Sequence, residues 1–299
     1  MSFTPSASVV IPVLNGEATI GELLAALKGQ AAAPGRFEVI VVDNGSTDRT
    51  AEIVRSHGAQ LLHQPVRGPA AARNLGLAHA QADIVVCTDA DTIPTRRWLA
   101  SLLTAFNCRE TIQATGPILG WQPRTGAERF ACARKIFDCK NTARHPLHPF
   151  AHGMNLAVRR AAALEIGGWD ETMTSGEDVD FGIRLRKRFS SSTIAFVDQA
   201  ILFHKHRSTN DALWKQARWH GAGYALVTQR HPDLIKWAAW RAGVARASVL
   251  TLHAAVPLVT LCRATRIFSE QRAEFEHYHR RWTRHFWAGF FGQWKKGSS

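Results

Sequence analysis

Cysteine is scarce in this chain: five residues among 299, an odd number, with none in C-x-x-C spacing. That scarcity speaks against a disulfide scaffold and a structural zinc site, and favours a reducing compartment. Nothing repeats at a period that would suggest a solenoid. No charged segment followed by an apolar core opens the chain, so no secretory signal is expected. Long hydrophobic runs are missing as well. The best of them, residues 247–262, is uncharged over 16 residues but includes His253 and Pro257. It falls short of the roughly 20 apolar residues that span a bilayer. Acid is the scarcer charge, 24 Asp+Glu against 37 Lys+Arg, while 45% apolar residues exclude a disordered chain. What remains is a cytoplasmic, globular, basic protein with enough chain for one large domain or two small ones.

The basic charge is local. Residues 1–203 hold 21 Lys+Arg and 19 Asp+Glu, a net of +2; residues 204–299 hold 16 and 5, a net of +11, with 7 of the 10 Trp. A near-neutral body therefore meets a basic, Trp-rich region.

The body alternates two periods. Apolar runs at 8–14, 37–42, 59–63 and 83–88 read as strands, and the segments between them place apolar residues at helical spacing: residues 18–30 with Thr19 as cap, 50–57 and 69–80. This rhythm predicts a doubly wound, mostly parallel α/β sheet whose strands are covered on both faces. Further strands are expected at 110–120 and 193–197, and helices at 126–143, 179–189, 212–230 and 234–276. Polar clusters follow three strands: Asn15-Gly-Glu17, the stretch from Asp43 to Asp48, and Asp89-Ala-Asp91. Open α/β sheets bind their ligands at that edge.

Asp89 and Asp91 stand two apart after a strand, where a turn can aim both at one pocket. Mg or Mn takes oxygen ligands, commonly one or two carboxylates plus substrate phosphates. A bare pair at this spacing can equally be two solvated turn carboxylates. Context adds Val10-Ile-Pro-Val-Leu-Asn-Gly-Glu17, Val41-Val-Asp-Asn-Gly-Ser-Thr-Asp48, Arg67-Gly-Pro-Ala-Ala-Ala-Arg-Asn-Leu-Gly76 and Thr88-Asp-Ala-Asp-Thr-Ile-Pro94. Beyond these come Gly153-Met-Asn-Leu-Ala-Val-Arg-Arg160, Gly167-Gly-Trp-Asp-Glu171 and Gly176-Glu-Asp-Val-Asp180. In this order the blocks resemble glycosyltransferase family 2, over about residues 8–207.

The resemblance implies a GT-A fold, a Rossmann-like α/β domain over 1–210, with a helical, basic C-terminal region over 211–299. It implies an inverting enzyme that moves one sugar from a nucleotide-diphospho-sugar, a UDP-sugar by preference, to an acceptor hydroxyl. Asp43 is similar to the residue that recognises the base, an acceptor suited to a uracil imide N–H. Pro12, Val13 and Glu17 would line the same cleft. Asp89 resembles the ribose-facing acid, and Asp91, with His204, the ligands of a divalent Mn or Mg; His206 is the alternative to His204. Arg73 would support the nucleotide pocket, or lie on a helix surface. Asp178 resembles the catalytic base that takes the hydroxyl proton, with Glu177 beside it. An acidic pair at a helix start also compensates the helix dipole. Gly153, Asn155 and Trp169 would shape the acceptor and sugar pocket, Trp169 equally a core residue. Arg218 would border the acceptor site, or sit on a helix that packs Trp219 inward. Gln216-Ala-Arg218-Trp219 is one residue shorter than the Gln-x-x-Arg-Trp of processive synthases, which favours transfer of a single sugar.

For the basic region, nucleic acid is disfavoured, since no zinc-finger spacing, RNA-binding aromatic motif or helix-turn-helix is legible. Trp237, Trp240, Trp282, Trp287 and Trp294 among Arg241, Arg246, Arg263, Arg266, Arg280, Arg281 and Arg284 suggest an anionic membrane surface, the inner leaflet, with a lipid-linked acceptor. An ordinary helical subdomain is the competing reading. A catalytically silent nucleotide-sugar-binding scaffold and a nucleotidyltransferase are the alternatives in function. The second lacks its Gly-rich phosphate loop.

Overall fold

The computed structural model describes residues 4–31, 37–146, 148–190, 193–234 and 269–296. Residues 247–262 and the tryptophans and arginines between 235 and 268 lie outside them. The chain divides into two compact units, Met1–Trp121 with Phe137–Lys205, and Gln122–Ile136 with His206–Ser299.

The first unit is an α/β body. Its strands are β1 (Ala7–Val13), β2 (Phe37–Asp43), β3 (Gln60–His63), β4 (Ile84–Cys87), β5 (Thr92–Pro94), β6 (Thr111–Thr115), β7 (Ile118–Gly120), β8 (Leu156–Arg159), β9 (Thr193–Phe196) and β10 (Leu202–His204). Numbered along the whole chain, its helices are α1 (Ile20–Lys28), α2 (Thr50–Ser56), α3 (Pro69–His79) and α4 (Trp98–Thr104); after α5 (Gly126–Arg134) of the second unit come α6 (Cys139–Ala143), α7 (Arg160–Glu165) and α8 (Glu177–Arg188). Seven strands form one sheet in the order β3-β2-β1-β4-β8-β6-β9, and β5-β10-β7 form a smaller one. In the large sheet β8 runs against both its neighbours, and the other pairings are parallel.

Strand β1 is buried on both faces, as its unbroken apolar run requires. Ala7, Val9, Ile11 and Val13 pack with Leu23, Leu24 and Leu27 of α1 and Trp98, Leu99 and Leu102 of α4. Val10 faces the other way, into a cluster with Ile40, Val42, Val85 and Cys87 under Ala70, Ala72 and Leu77 of α3. A Cβ on Gly76 would stand 2.3 Å from Cγ1 of Val10. Glycine there lets α3 lie directly on the strand.

Several sequence expectations change. The central strand β8 went unread. The stretch 110–120 is two strands in two sheets, divided at Gly116-Pro117. The helix expected over 126–143 is two helices: Lys135 caps α5 in the left-handed region at φ 51°, and Asp138 starts α6 by accepting from the Asn141 N–H at 3.2 Å. Thr19 makes no side-chain cap.

The second unit is helical: α5, α9 (Asn210–Arg230) and α10 (Glu270–Lys296). Its core holds Ala127, Phe130, Leu213, Trp214, Ala217 and Trp282. Trp282 therefore takes the ordinary packing role. Trp294 stacks on Phe290 at 5.5 Å. Among the described residues no helix is long and apolar enough to cross a membrane.

Candidate active site

Parallel strands deliver their following loops to one end of a sheet. The register pairs Val13 of β1 with Asp43 of β2, and Val10 with Cys87 of β4, so the three polar clusters emerge side by side. Hydrogen bonds staple the first two loops together. Asn15 N–H donates to Oγ of Ser46 at 2.8 Å, Gly16 N–H to Oγ1 of Thr50 at 2.8 Å, and Glu17 N–H to Oδ2 of Asp48 at 3.1 Å. Asp43 is 8% exposed and accepts from Ser46 N–H at 2.9 Å, which leaves carboxylate lone pairs for a ligand. Pro12 and Val13 lead into the same loops. Glu17 lies at the exposed rim, where its carboxylate meets Arg49 at 3.4 Å.

Asn44 fixes the third side of this cleft. Its amide donates to the carbonyls of Gln64 at 3.0 Å and Val66 at 2.7 Å, and its oxygen accepts from Gly68 N–H at 2.7 Å. The loop before α3 is thereby tied to the end of β2. Within the Val41–Asp48 block nothing in the residue pattern singles Asn44 out from its neighbours.

Arg73 joins the motifs. It rises from α3 with 4% of its side chain exposed, so it is no surface arginine. Nη2 donates to Oδ1 of Asp89 at 2.9 Å and Nη1 to Oε1 of Glu177 at 2.8 Å. Gly153 lies against the guanidinium, and a Cβ there would sit 2.7 Å from Cζ. Burial works against the charge of Arg73, but Asp89 and Glu177 outweigh it and hold the guanidinium protonated. Burial likewise pushes the Asp89 and Glu177 carboxyls up against the pull of Arg73. The next residue, Asn74, donates to the carbonyl of Trp169 and the carboxylate of Glu171, both at 2.8 Å, and accepts from Trp169 N–H. An Arg-Asn pair on one helix thus links three distant loops.

Asp178 begins α8 beside Glu177. Its Oδ2 accepts from Gly153 N–H at 3.3 Å and faces Nδ1 of His152 at 3.7 Å. Burial raises this carboxyl, yet His152, Arg73 and the Gly153 N–H outweigh burial and hold it below the usual carboxylate range. His152 was missed by sequence reading. Its one signal was its place immediately before the Gly153-Met-Asn155 block.

Asp91 and His204 meet across the small sheet, Nε2 of His204 lying 3.5 Å from Oδ1 of Asp91. Antiparallel pairing of β5 with β10 sets His204 opposite Thr92, next to Asp91. The Phe137 ring is edge-on to both His204, at 5.1 Å, and His152, at 5.4 Å. Among the described residues no group of three or more His, Cys, Asp or Glu side chains could hold a metal alone. A carboxylate with an imidazole fits a divalent ion that completes its shell from a bound diphosphate.

Two expected site residues, Asn155 and Trp169, are built into the body of the first unit. Asn155 is fully buried: Oδ1 accepts from Trp98 Nε1–H at 2.8 Å, and Nδ2 donates to the Gly116 carbonyl at 3.0 Å. It braces the floor behind the site. Trp169 is 1% exposed and stacks on Phe181 at 4.2 Å, so it belongs to the core. Arg218 lies in the second unit, where its guanidinium meets His285 at 2.7 Å.

A family model described as Glycosyl transferase family 2 matches residues 8–167. A pre-mycofactocin glycosyltransferase of Mycobacterium tuberculosis is 32% identical over 239 residues, 76% of this chain and 48% of that protein. The chain thus spans about half the length of this curated relative. Among solved structures, the mannosyltransferase PcManGT from Pyrobaculum calidifontis, in complex with GDP-Man and Mn2+, aligns with a TM-score of 0.67 at 19% identity, over 96% of this chain and 88% of that one. A glucosyl-3-phosphoglycerate synthase from Mycobacterium tuberculosis, solved with Mn2+, uridine-diphosphate and glucosyl-3-phosphoglycerate, aligns at 0.56 with 24% identity, over 76% of this chain and 80% of that one. The matched region runs from β1 through β8 to the Gly167 turn, taking in Arg73, Asp89 and Asp91 on a mostly parallel sheet of this topology: the chain belongs to glycosyltransferase family 2.

Proposed function

We propose that this protein is an inverting, metal-dependent glycosyltransferase that moves one sugar from a nucleotide-diphospho-sugar, a UDP-sugar by preference, to an acceptor hydroxyl. The observation that carries this reading is the Arg73 bridge between Asp89 and Glu177, with Asp178 next in the chain. It joins a donor-side acid to an acceptor-side acid through one buried cation.

In this reading Asp43 and the loops after β1 and β2 hold the nucleoside, and Asp89 faces the ribose. Asp91 and His204 would hold Mn or Mg, which when bound supplies Lewis-acid neutralisation of the diphosphate. Asp178 takes the proton of the acceptor hydroxyl as that oxygen bonds to the sugar C1. The bond from C1 to the diphosphate oxygen breaks, and its electron pair leaves with the nucleoside diphosphate. Attack opposite the leaving group inverts the anomeric centre. A carboxylate held below the usual range is ionised at neutral pH and ready to accept. Arg73 keeps Glu177 and Asp89 in place throughout, and Gly153 leaves room for its guanidinium.

Calorimetry of the full chain with UDP- and GDP-sugars tests the donor site. Binding that depends on Mn or Mg and is lost in Asp91→Ala is expected. No binding by any nucleotide-sugar would remove the reading, and binding without release of nucleoside diphosphate would favour the silent scaffold.

We also propose that residues 204–299, with net charge +11, meet an anionic membrane surface and a lipid-linked acceptor. Flotation with vesicles rich in anionic lipid is expected to carry the protein at low salt and release it at high salt. Absence of salt-sensitive flotation would sink this part alone.

A further inference from the structure

The chain just before Gly153 carries an imidazole that the reaction outlined above does not use. His152 precedes the short 3-10 turn Gly153–Asn155, and its side chain is 13% exposed. Phe137 and Phe150 stand edge-on to the ring at 5.4 and 5.0 Å, which fixes its plane. One nitrogen, Nδ1, faces Oδ2 of Asp178 at 3.7 Å. The other, Nε2, is buried and has no hydrogen-bond partner among the described residues. A buried polar atom left unpaired is costly and calls for a reason. The polar neighbour of the ring is instead the Asp178 carboxylate at Nδ1.

Asp178 has a difficult setting for a base. It is next to Glu177, and two adjacent carboxylates in a buried place resist being ionised together. The groups that face it are Arg73 from α3, already engaged by Asp89 and Glu177; the Cys139 thiol of α6, which burial pushes up to about 12 and so keeps neutral; the Val179 N–H, which donates to Oδ1 at 2.8 Å; the Gly153 N–H; and His152. Of these, His152 is the one whose side chain carries no other polar contact among the described residues.

We propose that His152 is the positioning partner of Asp178, its Nδ1–H closing on Oδ2 to hold the carboxylate in one plane and ionised as the acceptor hydroxyl arrives. At 3.7 Å the contact is longer than a formed hydrogen bond, and such contacts in ligand-free sites tighten when substrate binds. The order is that of carboxylate–imidazole pairs in general, with the roles exchanged: the imidazole orients, and the carboxylate takes the proton. His152 touches no reacting atom. The inference rests on Asp178 being the base.

The test uses the full chain with His152→Phe, which keeps an aromatic ring between Phe137 and Phe150, and with His152→Asn, whose amide N–H can stand where Nδ1–H stands. The Asp178 carboxyl is followed by 13C NMR through a pH titration, its resonance identified by loss in Asp178→Asn. The pH profile of kcat for nucleoside diphosphate release is measured on the same proteins. In His152→Phe the Asp178 midpoint is expected to rise by about one pH unit, the scale of one hydrogen bond to a charged group. The acid limb of kcat rises with it, and KM for the donor stays put. His152→Asn restores the midpoint toward the wild-type value. An unchanged midpoint in His152→Phe overturns the proposal. Normal turnover by Asp178→Asn, with the midpoint still shifted in His152→Phe, removes Asp178 as base while leaving the pair intact.

Discussion

An arginine buried between carboxylates of two loops cannot be exchanged for an apolar residue without leaving an acid behind. Arg73→Met would strand Glu177, whose side chain is 6% exposed, and the expected loss is about 3–5 kcal/mol, read as a lower urea midpoint. Adding Glu177→Gln should return part of that stability but none of the activity. A midpoint unmoved by Arg73→Met would show that the bridge does not hold the loops. Gly153→Ala is the subtler probe. Its methyl would press on the guanidinium from 2.7 Å, so about 1–3 kcal/mol of strain is expected, with a fall in kcat that exceeds any change in midpoint. At this scale the sequence was legible in part. Asp89, Asp91 and Asp178 were legible through the ordered blocks they sit in, because acids after strands and at helix starts also serve as turn residues and offset the helix dipole. The depth of Arg73 was not legible, because an Ala-rich helix lying on a sheet hides which of its faces carries the arginine. His152 was silent for a like reason, since its partner is 26 positions away and no periodicity links them.

At the level of elements, the site is a set of loops held to the sheet by backbone-directed hydrogen bonds. Asn44→Ala would leave the Gln64 and Val66 carbonyls and the Gly68 N–H without their side-chain partners. About 1–3 kcal/mol of stability should go, and nucleotide affinity should weaken more than in a remote control variant. Calorimetry beside a urea titration separates the two effects; unchanged affinity would mean the clamp does not shape the cleft. The apolar runs of β1, β2 and β4, each ending in polar residues, made both the parallel sheet and its ligand edge readable. Strand β8 escaped because its apolar residues Leu156–Val158 pass through Arg159 straight into α7, with no turn between to mark a strand end. The broken helix over 126–143 escaped because apolar spacing continues across Lys135, while the left-handed cap and the Asp138 restart are matters of backbone geometry.

Over the whole molecule, charge and chemistry separate. The first unit carries the acids that the proposed reaction uses, and the excess of Lys and Arg falls almost wholly after residue 203. Part of the Trp-rich character of that region goes into ordinary packing, since Trp214 and Trp282 lie in the core of the second unit. Ligand linkage offers a global readout. Nucleoside diphosphate with Mn at a hundred times its Kd should stabilise the chain by about 2.7 kcal/mol, and Asp91→Ala should lose most of that gain. The central claim, that Asp178 takes the acceptor proton, is met most directly by the rate of nucleoside diphosphate release in Asp178→Asn, with donor affinity measured alongside. The account predicts a fall in kcat of about 10²–10⁴-fold with donor affinity unchanged; turnover at the wild-type rate would contradict it.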